Sequence, residues 1–105
     1  RSNLTLNIAN VTVNNKTHKL SLKVTVKDYL GNVVAGPNKF IIKLNGLSIT
    51  NGTQAMYYYS VDGILTISNI DIPVYNKYNN LEVVTQDRLA YTSQRNTTTK
   101  IKVLN

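Results

Sequence analysis

A chain of 105 residues fits one domain, and a domain of that length buries enough apolar surface to fold without metal or disulfide support. It has no cysteine, which excludes disulfides, thiolate metal sites and thiol redox chemistry. No apolar run approaches the roughly 20 residues of a membrane-spanning helix; twelve basic and five acidic side chains leave a net charge of +7, which favours anionic partners.

Taken from its start, the chain begins at Arg1 and enters strand-like sequence almost at once, which reads as one piece of a larger protein. Leu4-Thr5-Leu6-Asn7-Ile8 and Val11-Thr12-Val13 alternate apolar and polar residues, the pattern of strands with one buried face. The polar turn Asn14-Asn15-Lys16-Thr17-His18 separates them from the clearest strand, in which Leu20, Leu22, Val24 and Val26 face one way and Ser21, Lys23, Thr25 and Lys27 the other. Asp28-Tyr29-Leu30-Gly31-Asn32 carries the residues of a tight connection, because Gly and Asn adopt positive φ at little cost. After Gly36-Pro37 a strand runs with Phe40, Ile42 and Leu44 inward and Lys39 and Lys43 outward, ending at the hairpin signal Asn45-Gly46.

A short strand over Leu47, Ser48 and Ile49 follows, closed by Asn51-Gly52. The segment from Ala55 through Tyr57, Tyr58 and Tyr59 to Val61 is strand-prone without clean alternation, so its faces stay open. Asp62-Gly63 turns the chain into Ile64-Leu65-Thr66-Ile67-Ser68, and Pro73 closes that element because it cannot donate to a ladder. Leu81, Val83 and Thr85 mark the next strand, and Thr99, Ile101 and Val103 the last. About seven short strands divided by Asn-Gly, Asp-Gly and Gly-Pro turns predict an all-β, immunoglobulin-like β-sandwich with Greek-key connections, a single domain over residues 1–105.

The order of these elements carries a family resemblance. Val24-Thr25-Val26-Lys27-Asp28-Tyr29-Leu30-Gly31-Asn32-Val33-Val34 resembles a motif of strand, Asp, two residues, Gly-Asn and valine. Phe40 to Gly46, Asp62 to Ile67, Asn80 to Val83 and Tyr91-Thr92-Ser93 are similar to the landmarks that follow it. Together they resemble the bacterial and archaeal Ig-like (Big-type) repeats of adhesin-like surface proteins, in the style of methanogens. The loop Gln86-Asp87-Arg88-Leu89-Ala90 departs from the pattern, lacking the glycine usual there. The resemblance implies an extracellular, cell-surface module for adhesion or spacing, and it carries over no ligand-binding residue.

Hydrolysis or group transfer needs a nucleophile with its base, a metal cluster or a carboxylate pair, and the residues supply none in a recognisable arrangement. His18 stands alone among polar residues and reads as a solvated imidazole. Asp28, Asp62 and Asp87 sit in turns, where carboxylates accept local backbone hydrogen bonds. The chain is therefore read as not an enzyme, with no catalytic, metal or cofactor site. An abundance of Lys and Asn also admits a lysine-asparagine cross-link of the kind that stiffens surface sandwiches. Sequons at Asn3, Asn10, Asn15, Asn51 and Asn96 are glycosylation acceptors if exposed in an export pathway.

Tyr57, Tyr58 and Tyr59, with Arg88, Tyr91 and Arg95, are the candidate contact surface, since tyrosine offers rigid area with a polar tip and sandwich loops cluster at the ends. Tyr75 and Tyr78 complete the aromatic set considered for contact. The expected partners are neighbouring repeats of the same chain and, for an adhesive module, another cell's surface, a glycan or a wall polymer. The isolated domain is expected to be a monomer that does not insert in a membrane, with chain ends at opposite ends of the sandwich. The alternatives are a binder of anionic polymer, for which nucleic acid is disfavoured by the lack of any known recognition motif, and a carbohydrate-binding module.

Overall fold

The computed structural model describes residues 3–35, 38–51, 54–86 and 93–104. Among them the chain forms strands and no helix: β1 (Thr5–Asn14), β2 (Lys19–Lys27), β3 (Lys39–Leu44), β4 (Leu47–Ser48), β5 (Thr50–Asn51), β6 (Gln54–Ala55), β7 (Tyr58–Tyr59), β8 (Ile64–Asp71), β9 (Leu81–Thr85), β10 (Arg95–Thr98) and β11 (Lys102–Leu104). The period-two alternation of β2, β3 and β9 is reproduced in their burial, every second residue being buried. Phe40, Ile42, Leu44, Leu81 and Val83 from one sheet meet Val13, Leu20, Leu22, Val24, Val26, Leu65 and Ile67 from the other in one core.

The first sheet has the order β11-β1-β2-β8, and the second β10-β9-β3-β4 with β7 also paired to β3. The chain crosses between the sheets from β2 to β3, from β7 to β8 and from β8 to β9, so that β8 returns beside β2 and β9 beside β3. This is the Greek-key order of an immunoglobulin-like sandwich. The two sheets hold nine strands instead of about seven, and β5 with β6 forms a separate ribbon. The excess has two causes. Two-residue pairings at β4 and β7 flank β3, and the last segment divides at Thr99 and Lys100 into β10 in one sheet and β11 in the other. Val103 lies opposite the buried Val13 but on the edge strand of its sheet, where it stays 41% exposed, while Ile101 packs partly on the core.

β1 is continuous where two strands were expected, because a bulge absorbs Ala9 to Val11. Its register with β2 shifts between Ala9 and Thr12, and Asn10 takes the left-handed φ of 56°. A second bulge lies across β2 on β8, where Asn69 has φ 54° and donates its N–H to Ser21 Oγ at 3.0 Å.

The turn signals act as their chemistry requires. Asn45-Gly46 (φ 53° and 82°) and Asp62-Gly63 (φ 52° and 78°) are two-residue loops with both φ positive, the type I′ geometry that matches strand twist. Asn45 also accepts from the Asn79 N–H at 2.7 Å and donates Nδ2 to the Lys77 carbonyl at 2.9 Å, pinning the connection before β9. Asp28 Oδ1 accepts the N–H groups of Leu30 and Asn32, each at 2.9 Å, which holds the turn after β2. Gly36-Pro37 and Gly52 lie outside the described residues. His18 differs from the expected solvated side chain: it is half-buried, and its Nδ1 is buried without a hydrogen-bond partner. Its carbonyl accepts from Ile72, so the turn packs against the segment after β8.

β11 pairs in parallel with the second half of β1, Thr12 opposite Lys102 and Asn14 opposite Leu104. The chain thus enters β1 at one end of the sandwich and completes β11 at the other. Nine steps along β1 place these points about 30 Å apart, in a molecule whose extents are 41 × 28 × 20 Å.

Candidate functional site

The residues read from sequence as a contact surface divide between two environments. β7 pairs with the start of β3, Tyr59 opposite Lys39 and Tyr58 opposite Phe40. Because Phe40 faces the core, Tyr58 follows it inward and packs partly against the core, which raises its hydroxyl pKa above the ordinary value through desolvation. Tyr57 and Tyr59 stay outside, 46% and 56% exposed. Lys39 lays its ammonium 3.9 Å from the Tyr57 ring centroid, a cation–π contact of about 0.5–1 kcal/mol at an exposed site.

Arg95 begins β10 opposite Val84, which is itself opposite Ile41. The outer face of the second sheet therefore runs in rows: Tyr59 with Lys39, then Ile41-Val84-Arg95, then Lys43-Glu82-Thr97. Glu82 sits between two cations, 4.0 Å from Lys43 Nζ and 3.8 Å from Arg95 Nη1, and accepts from Thr97 Oγ1 at 3.3 Å. The face is a mixture of two tyrosines, half-buried aliphatics and three cations around one acid, Glu82. Such a surface can make stacking and polar contacts. Lys39, Ile41 and Val84 were not singled out from sequence; the outward alternation of β3 and β9 marks them, but nothing local shows that Tyr57 and Tyr59 join the same face.

Arg88 and Tyr91 lie outside the described residues, as does the side chain of Asn51. Among the other sequons Asn3, Asn10 and Asn15 are exposed, Asn10 at the apex of the β1 bulge. Asn3 Oδ1 accepts from Gln94 Nε2 at 3.0 Å. Asn96 is differently occupied: its Nδ2 donates to the Leu6 carbonyl at 2.7 Å and its Oδ1 accepts from the Thr97 N–H, so the atom that would carry a glycan ties β10 to the opposite sheet. Tyr75 and Tyr78 pack edge to face, centroids 6.0 Å apart, against the core.

No protein-family model, curated protein or solved structure matches this chain.

Two adjoining clefts, of about 220 and 270 Å³, open between the end of β8 and the β4–β5 segment, sharing Ile49, Thr50 and Asp71. Their walls are mainly aliphatic and aromatic, and Asp71 is the one carboxylate among their described residues. Among the described residues no three His, Asp or Glu side chains are grouped so as to hold a metal ion. No described lysine is buried, so the burial that a lysine-asparagine cross-link requires is not met at any of them.

Proposed function

We propose that this domain is an immunoglobulin-like module of an adhesin-like protein of the cell surface, acting outside the cell as a spacer in a series of similar domains. The observation that carries the reading is the parallel pairing of β1 with β11, which sends the chain in at one end of the sandwich and out at the other. A successor can then continue along the same line, whereas entry and exit side by side would fold each copy back on its neighbour. The resemblance of the Asp28-Tyr29-Leu30-Gly31-Asn32 turn and its following landmarks to repeats of surface proteins supports the same reading. The face around Tyr57, Tyr59 and Arg95 gives an adhesive version of the module a surface to use.

The test is small-angle scattering on a direct head-to-tail fusion of two copies. A longest dimension roughly double the 41 Å of one domain is expected. A compact, side-by-side particle would count against the spacer role.

A further inference from the structure

The lysines of β2 occupy a place that edge protection does not explain. Charged residues on outer strands keep sheets from pairing with other chains, but β2 lies inside its sheet, between β1 and β8. Lysine is also a poor strand former. Even so, Lys19, Lys23 and Lys27 recur on the outward face of β2, four residues and about 13 Å apart. Lys102 joins them from β11 through its register with Thr12, the outward neighbour of Ser21.

The spaces between these cations hold mainly hydrogen-bonding side chains of neutral charge, with Ala9 beside Lys23 and Ile64 beside Thr25. Thr5 lies beside Lys27, Asn7 beside Thr25, Thr66 beside Lys23 and Thr12 beside Ser21. Asp71 is the one described acid on this face; it sits at the rim, 86% exposed, and pairs with Lys19. Among the described residues Lys23, Lys27 and Lys102 form no ion pair. The second sheet is arranged otherwise, with Glu82 set between its cations. The two faces of one sandwich thus differ: on the second, Glu82 lies near Lys43 and Arg95 while Lys39 stacks on Tyr57, and on the first Lys23, Lys27 and Lys102 are left open.

We propose that the outer face of the β11-β1-β2-β8 sheet binds an extended acidic polysaccharide lying along β2. Ammonium groups at Lys23, Lys27 and Lys102 meet carboxylate or sulfate groups, and the hydroxyl and carboxamide groups between them meet sugar hydroxyls. No aromatic side chain is present in these rows, so the stacking platform that single-stranded nucleic acid requires is missing. The inference does not depend on the spacer reading, since a lone domain would bind equally.

The test is binding of the isolated domain to polygalacturonate (carboxylate) and heparin (sulfate), with neutral dextran and oligothymidine as comparisons, at low and raised salt. Lys23→Gln/Lys27→Gln is expected to weaken binding to the acidic polysaccharides roughly tenfold and to lower the salt dependence by about two released counterions. Lys39→Gln/Lys43→Gln, with the same charge change on the opposite face, is expected to alter binding less than about twofold, while Lys23→Arg/Lys27→Arg keeps most of it. Circular dichroism of each variant establishes that it is folded. Equal losses from the two Gln pairs, absence of binding at low salt, or oligothymidine bound as tightly through the same lysines would each overturn the proposal.

Discussion

Asn15 donates its main-chain N–H to the Leu104 carbonyl at 2.7 Å, closing the parallel pair between the first long strand and the last. The bond lies just past the buried Val13, so β11 satisfies main-chain groups along the edge of β1 that would otherwise stay unpaired.

Removal of residues 99–105 is expected to cost about 2–3 kcal/mol, from two or three ladder hydrogen bonds at about 1 kcal/mol each and part of the Ile101 burial. Urea unfolding of the full and shortened chains measures it. An unchanged midpoint would show that β11 contributes nothing to the fold.

Gly63 and Gly46 both hold left-handed φ, but their surroundings differ. A Cβ at Gly46 meets open space, whereas one at Gly63 overlaps Val33 Cγ1 and lies 3.0 Å from the Val34 carbonyl. Gly46→Ala should therefore carry the backbone cost alone, about 1 kcal/mol, and Gly63→Ala clearly more. Adding Val33→Ala to Gly63→Ala should recover part of the loss, a coupling that a double-mutant cycle reads directly.

Asp28 stabilises its turn through one carboxylate oxygen shared by two N–H groups. Asp28→Ala is expected to cost about 1.5–3 kcal/mol. Asp28→Asn, which keeps an acceptor in place, should cost less than half of that. Thermal melts of the two variants distinguish this role from one that depends on the negative charge alone.

Burial holds the Tyr58 hydroxyl pKa above its unfolded value. A raised pKa means that the folded state keeps its proton more tightly, so this contribution is complete below the unfolded value, about 10, and disappears as pH rises through the folded value. The difference in unfolding free energy between the native chain and Tyr58→Phe should be flat from neutral pH to about 9 and change above 10 in the direction that destabilises the native chain. Denaturant titrations across that range would expose a flat difference if Tyr58 were solvated in the folded state.

Much of this architecture is legible in the order of residues, because strands with one wet face print their period directly. β2, β3 and β9 were readable residue by residue, and Asn45-Gly46 and Asp62-Gly63 named their own turns. The failures have physical causes. At Asn10 a bulge interrupts the alternation without ending the strand, so one strand reads as two. β11 pairs in parallel with residues ninety positions earlier, and such a register leaves no local trace. Tyr57-Tyr58-Tyr59 has no alternation in composition, and its faces are settled only by pairing with Lys39 and Phe40. Sequence alternation marks the lysines of β2 as outward; only the strand order shows that they line the middle of a sheet.

The shared direction of β1 and β11 also decides how the domain answers tension applied through both ends of the chain. A pull drags the two strands past one another, so their hydrogen bonds are loaded together in shear and none can peel away first. If they give way, the 41 Å long particle yields a thread of up to roughly 350 Å. Under tension the domain would thus be a stiff link at small loads and a reserve of length at large ones.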